Sequence, residues 1–419
     1  MDEARWRAWW AHRQGLDGRF SGKSPAAVLA ATGWARSIGG AGPYVSLFAR
    51  CGALPRAVDA AVEALEIHEL PAARGCTYVV PAEAFALALS IGTGGPEAEM
   101  KIARKLGVTD AEIDRLCQAV LDALGDGPRE PAELRDAAGG AVRSLGEEGR
   151  KKGISTTLPL ALGRLQSAGE IRRVSTNGRL DNQRYRYALW RPNPLGGFAL
   201  SPEERAREVA RLFFGWIGPA RLADFQTFAA LGAKAARAAV EPLGLVTPEG
   251  TAGAPGTTGA AAAGGDAGDA GGGPMLMLPG QAEELRSFAP PRRPRYALVT
   301  NLDGLLLLRN DVRSLLAPED WEREVAGAKG PAPAASVHDL MNHAILDRGR
   351  LVGLWEYDPA AGEIAWVSFL RPDAELRAAV DATAAMIREQ LGDMRSFSLD
   401  SPKSRAPRIA ALRAAAGRR

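Results

Sequence analysis

Apolar residues recur at helical spacing through much of the chain and give way to alternation in a few short stretches, and these switches mark the elements. Leu158, Leu162 and Leu165 fall on one helical face, with Ser155, Thr156 and Thr157 as candidate N-caps and Gly169 as the stop. This face is narrow, so Arg164 and Gln166 are expected to point outwards. Beyond Gly169 the period shortens to two: Ile171 and Val174 flank Arg172 and Arg173, and Asn177-Gly178 signals a tight turn. The return strand is Arg184-Tyr185-Arg186-Tyr187-Ala188-Leu189. The stretch reads as a recognition helix followed by a β-wing.

Related orders of elements occur elsewhere. Ser24-Pro25 opens a helix as N-cap and first-turn proline, further helices follow Pro43 and Pro55, and the run Cys76 to Val80 is strand-like before Pro81. Residues 110–124 form an amphipathic helix with Ile113, Leu116, Val120, Leu121 and Leu124 on one face and capping-box spacing between Thr109 and Glu112. A shorter helix starts at Pro131, ahead of the helix and wing above. A third copy begins at Pro202, with strands near residues 243–246 and 275–278. Between them, residues 248–273 contain ten Gly and eight Ala, too little apolar surface to fold, and predict a disordered wing loop. From Tyr296 the pattern is β-rich, with a hairpin over 351–357 and 363–369 turning at Asp358-Pro359. Asp373 caps a helix running to Gly392.

The predicted fold class is α+β: tandem winged-helix (helix-turn-helix) domains with a C-terminal small β-barrel or sheet and a helix. The expected boundaries are 1–95, 96–195 and 196–285 for three winged helices, 286–400 for the β-rich domain and 401–419 for a basic tail. That tail carries Lys403, Arg405, Arg408, Arg413, Arg418 and Arg419 and no acid. It reads either as a second phosphate-attracting segment or as a disordered solubilising end.

Charge sharpens the picture. Between Arg150 and Arg191 ten Lys or Arg face two acids, Glu170 and Asp181, a local +8 in a chain of net +3. Positive charge is therefore localised on the helix and wing, as expected where phosphates bind. The competing reading, a hairpin edge guarded by arginines against aggregation, leaves the preceding helix unexplained. Lys151, Lys152, Arg164, Arg172, Arg173, Arg179, Arg184 and Arg186 are the candidate DNA-binding residues. With 46% hydrophobic and 24% charged residues in 419, the chain is globular and long enough for two to four domains. Three cysteines without a CxxC pair argue against a disulfide framework or a zinc site. No run approaches the ~20 apolar residues of a membrane span, and a cytoplasmic location is expected.

Catalytic signals are sparse. No GxGxxG, P-loop or GxSxG is present. His338 and His343, near Asp339 and Asp347, do not share a helical face and make a poor metal or acid-base cluster; no metal and no small-molecule cofactor are expected. Asp303 and Asp311 read as turn markers.

Four segments carry a resemblance to a known family. They are Gly33 with Arg50; Arg74-Gly75-Cys76-Thr77-Tyr78-Val79-Val80-Pro81; Gly218-Pro219-Ala220 with Asp224; and Gly349-Arg350-Leu351-Val352-Gly353-Leu354-Trp355. In this order, from about Trp6 to Leu391, the chain resembles the winged-helix DNA-binding family that includes the crosslink-repair DNA glycosylases YcaQ and AlkZ. The resemblance implies tandem winged helices with a C-terminal β-barrel, duplex DNA as partner, and a glutamine pair after the glycine at Gly33 that positions the attacking water. Here the glutamine positions fall on Ala35 and Ser37 or, shifted by one, on Arg36 and Ile38, and neither pair supplies a carboxamide or carboxylate. Arg36 and Ser37 remain weak candidates for holding a phosphate or an abasic sugar. The expected function is thus a winged-helix DNA-binding protein of repair or regulation that contacts duplex phosphates. The alternative is a crosslink- or alkylation-repair DNA glycosylase with a non-glutamine site, and a third reading is a scaffold whose basic wing meets an acidic protein.

Overall fold

The structure, a computed structural model, describes residues 3–248 and 273–417. The predicted wing loop over 248–273 lies, apart from its two end residues, outside the described residues. The chain divides into two compact units, Asp59–Leu200 and the combination of Met1–Val58 with Ser201–Arg419. No helix among the described residues is long and apolar enough to cross a membrane.

In the unit Asp59–Leu200, strands Ile67–Pro71 and Thr77–Pro81 pair antiparallel, from Ile67 opposite Pro81 to Pro71 opposite Thr77. Helices Phe85–Ile91, Gly94–Lys105, Asp110–Leu124, Pro131–Ala138, Gly146–Lys151 and Leu158–Ser167 follow, and the strands Ile171–Ser175 and Tyr185–Leu189 close the unit. Thr109 caps Asp110–Leu124 as its spacing requires, accepting from the Glu112 amide at 3.2 Å. Ile113, Leu116, Val120 and Leu124 of that helix join Leu158, Leu162, Leu165, Ile171 and Tyr187 in one core. Burying each such side chain stabilises by about 1.5–3 kcal/mol.

The helix Leu158–Ser167 departs from its predicted polarity. Gln166 is buried, because Leu160 and Ala161 are buried as well and widen the apolar face beyond the leucine stripe. Thr157 is the N-cap residue, yet its hydroxyl does not cap the helix and instead accepts from the Arg143 amide at 3.0 Å. The expected tight turn at Asn177-Gly178 is replaced by a loop over residues 176–184. Asn182 holds that loop by donating to Thr176 Oγ1 at 2.9 Å and to the Arg184 carbonyl at 2.8 Å.

In the other unit the helices Glu3–Arg13, Pro25–Thr32 and Gly42–Cys51 are followed, after residue 200, by Pro202–Ile217, Leu222–Ala229 and Ala233–Val240. Ser24 and Ser201 cap their helices, and Ser201 with Glu204 forms a reciprocal capping box. The strands read near 243–246 and 275–278 reduce to single bridges, Val246 to Met277 and Ala220 to Leu276. Four antiparallel strands form the main sheet in the order Glu363–Ser368, Arg350–Asp358, His343–Asp347, Tyr296–Val299. The predicted hairpin is present, with Trp355 opposite Trp366 and Asp358 opposite Glu363. The sheet is open: its order has two ends, so the expected barrel is not formed among the described residues, and the helices Ala374–Met386 and Pro402–Gly417 accompany a sheet instead.

The basic tail is not a disordered end over its described residues. It forms the helix Pro402–Gly417, in which Arg405 is buried and donates to both Asp393 oxygens at 2.7 and 2.9 Å. Arg408 pairs with Glu356 at 2.9 Å and Arg413 with Asp358 at 2.8 Å. Three of the tail's arginines are spent on fastening it.

His68 generates a test. Its ring packs edge-on against Trp190 and Phe85, and neither nitrogen has a hydrogen-bond partner among the described residues. Burial, aided by Arg172 and Arg173, pushes its pKa down to about 3. The folded ring therefore stays neutral while the unfolded ring gains a proton below about 6.5, so stability is lost as pH falls from about 6.5 towards 3, at up to about 1.4 kcal/mol per pH unit. His68→Phe is expected to remove this component, and its stability advantage over the parent, read from urea unfolding, should widen from pH 7 to pH 5. An unchanged difference at the two pH values would show that His68 is not the titrating group.

Candidate functional site

The helix Pro25–Thr32 stops at Gly33, whose φ of +106° suits glycine and whose missing Cβ leaves space for the Trp216 ring, 3.3 Å from where that atom would lie. The chain then alternates. Ala35 and Ser37 turn inwards, 5% and 1% exposed, while Arg36 and Ile38 are half-buried and line a small cleft. Gly40 lets residues 395–396 come close, since a Cβ there would collide with the Arg395 carbonyl, and the Ala41 amide donates to that carbonyl at 2.8 Å. Thr300, Asn301 and Ser396 complete the walls. Of the two possible positions for the family's glutamine pair, the one on Arg36 and Ile38 faces the cleft. Ser37 is too deeply buried to present its hydroxyl to a ligand.

Thr300 and Asn301 are held from below by a buried ion pair. Asp303 accepts from Arg50 at 2.7 and 2.8 Å, from Ser46 Oγ at 3.0 Å and from the Leu305 amide at 3.0 Å. Arg50 also donates to Gln14 Oε1 at 3.0 Å, and Gln14 donates to the carbonyls of Thr32 and Trp216. Burial pushes the Asp303 carboxyl up, but the Arg50 charge and these hydrogen bonds more than offset it and hold it below the usual carboxylate range. Asp303 is also the N-cap of the helix Gly304–Arg309, and Asp311 caps the next turn, so both do mark turns as their sequence suggests.

His343 is buried against Trp355, 4.6 Å between ring centroids, and burial lowers its pKa. Its Nδ1 accepts from the Asn301 amide at 3.1 Å, and its Nε2 lies 3.2 Å from Ser396 Oγ. His338 is exposed beside Asp339, so the two histidines do not converge, and no group of three potential metal ligands occurs among the described residues. A larger cleft of ≈ 310 Å³ is walled by Trp6, Trp10 and Trp321 with Arg309 and Arg313 over indole rings. Arg221 and Arg309 there face Asp311 and Asp224 at 3.2 and 3.6 Å.

The eight basic residues of the helix and hairpin have unequal surroundings. Lys151 pairs with Glu147 at 3.4 Å, Arg164 with Asp114 at 2.7 Å and Arg179 with Asp181 at 2.8 Å. Arg173 shares the hairpin face of Ile171, Tyr185 and Tyr187, and its guanidinium stacks 4.5 Å over the Tyr185 ring. Arg172 and Arg186 lie on the other face, half-buried. Lys152 is exposed, and Arg184 is 77% exposed, 3.6 Å from Glu130.

The sequence profile of the DNA glycosylase AlkZ-like family matches residues 35–397. The chain belongs to the AlkZ-like DNA glycosylase family. Among solved structures it is similar to Streptomyces sahachiroi DNA glycosylase AlkZ, at 21% identity and a TM-score of 0.65 over 95% of this chain and 98% of that one, a likeness of fold. No curated protein matches. Within this AlkZ-like fold the sequence reasoning missed Asn301 and Ser396, which no local pattern joins to His343, a residue read there only as part of a poor metal or acid-base cluster. It also missed the Arg50–Asp303 pair, although the Asp-Gly at the start of a leucine run signalled the cap.

Replacing Asp303 by Asn is expected to cost about 3–5 kcal/mol, because Arg50 is left buried without its counter-charge. The double variant Arg50→Met, Asp303→Asn removes that stranded charge and should lose less than the sum of the single losses. Denaturant unfolding of all four proteins checks it, and strict additivity would show the two side chains to be uncoupled.

Proposed function

We propose that this protein is a repair DNA glycosylase that binds duplex DNA through phosphates and hydrolyses N-glycosidic bonds with a site lacking the glutamine pair. The observation that carries this reading is the family match across residues 35–397, which spans the cleft and the basic hairpin alike. The order of four helices and a hairpin over 110–189, with the helix Leu158–Ser167 directly before the hairpin, supports a winged helix there. We extend the same architecture to three tandem winged helices over 1–95, 96–195 and 196–285, followed by a β-rich segment to residue 400. Lys152, Arg184 and Arg186 are the phosphate contacts of this reading, with Arg172 beside them. A second reading, DNA binding without glycosidic chemistry, draws on Ala35, Arg36, Ser37 and Ile38, none of which orients or activates water as a carboxamide does.

Incubation with duplexes carrying alkylated bases or interstrand crosslinks, scored for abasic sites, separates the two readings; abasic sites are expected. Affinity for undamaged duplex should fall steeply between low and physiological salt. Arg184→Ala with Arg186→Ala should weaken binding to all sequences alike and lower the slope of log K against log salt by about 0.9 per lost contact. The melting temperature should move little, since Arg184 is exposed, the half-buried Arg186 is outside the core, and side chains away from caps and cores change stability by within about 0.5 kcal/mol. Undiminished binding would remove the hairpin from the interface, and a large fall in melting temperature would make these arginines structural.

A further inference from the structure

We propose that Asn301 holds the attacking water, in a one-water cavity of the cleft lined by Arg36, Ile38, Thr300 and Ser396. This rests on the glycosylase reading above. Asn301 is clamped at two points: its amide N–H donates to His343 Nδ1 at 3.1 Å and its Nδ2 donates to the Leu340 carbonyl at 3.1 Å. The second bond fixes which end of the carboxamide is oxygen. Oδ1 is buried and meets no donor among the described residues. A buried acceptor in this position is ordinarily satisfied by a bound water. The cavity that Asn301 lines, ≈ 10 Å³, has room for about one.

Ser396, which lines the same cavity, supplies the matching donor. Because His343 Nδ1 accepts, its proton sits on Nε2, which donates to Ser396 Oγ at 3.2 Å. Burial keeps the ring neutral. With Nε2 already protonated, His343 does not activate Ser396 as a nucleophile. The serine's own O–H is instead left to donate, and Ser396 lines the same cavity. A water there accepts from Ser396 Oγ–H and donates one hydrogen to Asn301 Oδ1, which leaves an oxygen lone pair directed away from both.

An amide orients water but takes no proton from it. That limits the chemistry to bases that leave readily, such as purines made cationic by N7-alkylation. The C1′–N bond breaks with its electron pair passing to the base nitrogen, which neutralises the cationic base. The water oxygen bonds to C1′, and its surplus proton passes to solvent. Asn301 contributes orientation, an effect for which a misplacement of about 1 Å costs on the order of 10²-fold in rate.

The test uses the full chain with a duplex containing N7-methylguanine, in single-turnover reactions scored for abasic sites, beside DNA affinity and melting temperature. Asn301→Ala is expected to slow the chemical step on the order of 10²-fold with DNA affinity unchanged. Asn301→Asp keeps an acceptor oxygen and should stay within about tenfold of the parent; like alanine it cannot donate to the Leu340 carbonyl, so a rate lost in the alanine variant alone follows the acceptor and not that contact. Ile38→Gln in the Asn301→Ala background brings a carboxamide to the same cleft and should recover part of the rate. A parent protein that forms abasic sites while Asn301→Ala matches it overturns the assignment of Asn301 alone. A parent that forms none on alkylated or crosslinked duplex overturns the glycosylase reading and this inference together.

Discussion

The buried pair of Arg50 and Asp303 is the constraint on which the cleft depends. Two charges removed from water are tolerated only when every donor and acceptor around them is met, and here the network is nearly closed. Asp303 takes bonds from Arg50, Ser46 and Leu305, and Arg50 also reaches Gln14, which in turn holds the carbonyls of Thr32 and Trp216. Gly304 belongs to the same arrangement, since a Cβ there would sit 3.0 Å from Gln14 Oε1 and 3.5 Å from Arg50 Nη2. Segments far apart in the chain are thus fixed at one point. Residues 300–302 on one wall of the cleft and the stretch following Thr32 on the other inherit their positions from it.

Above that closed network lies an open one. Asn301 and Ser396 are each oriented by a neighbour, Leu340 and His343 on one side and His343 on the other, with a carboxamide oxygen and a serine proton left over. The supporting layer of Arg50, Asp303, Ser46 and Gln14 meets its buried polar demands, whereas Asn301 Oδ1 at the cleft stays unmet, as do the nitrogens of His68 elsewhere. Neutral groups suit such a place: Asn301 and the uncharged His343 add no charge for Arg36 to neutralise.

What was legible in the sequence is what is decided locally. The caps at Ser24, Thr109 and Asp373 and the hairpin ending at Asp358 follow from neighbouring residues, and all form as expected. Polarity along one face was harder, because the burial of Gln166 depends on what packs on both sides of its helix. Partners 253 positions apart, as in Arg50 and Asp303, leave no local trace. Counting charge misled at the tail for the same reason. Arg405, Arg408 and Arg413 sit in a stretch without acids, yet Asp393, Glu356 and Asp358 come to them through the fold. The barrel expected from family resemblance fails on topology, since nothing joins Glu363–Ser368 to Tyr296–Val299 among the described residues.

The basic hairpin shows how the strand period divides like charges between two tasks. Arg172 and Arg173 are adjacent in sequence and therefore on opposite faces. Arg173 joins the tyrosine face, where its planar guanidinium stacks on Tyr185 and its charge is partly screened by the ring. Arg172 joins Arg186 on the other face. Both arginines nevertheless act on His68, whose neutral form is the one that tolerates two nearby cations and an aromatic enclosure of Trp190 and Phe85. Gathering cations on one hairpin thus imposes a condition on the unit's own interior: a buried ionisable group beside them is favoured uncharged or with the opposite sign. His68 satisfies the first alternative and Asp181, bound to Arg179, the second.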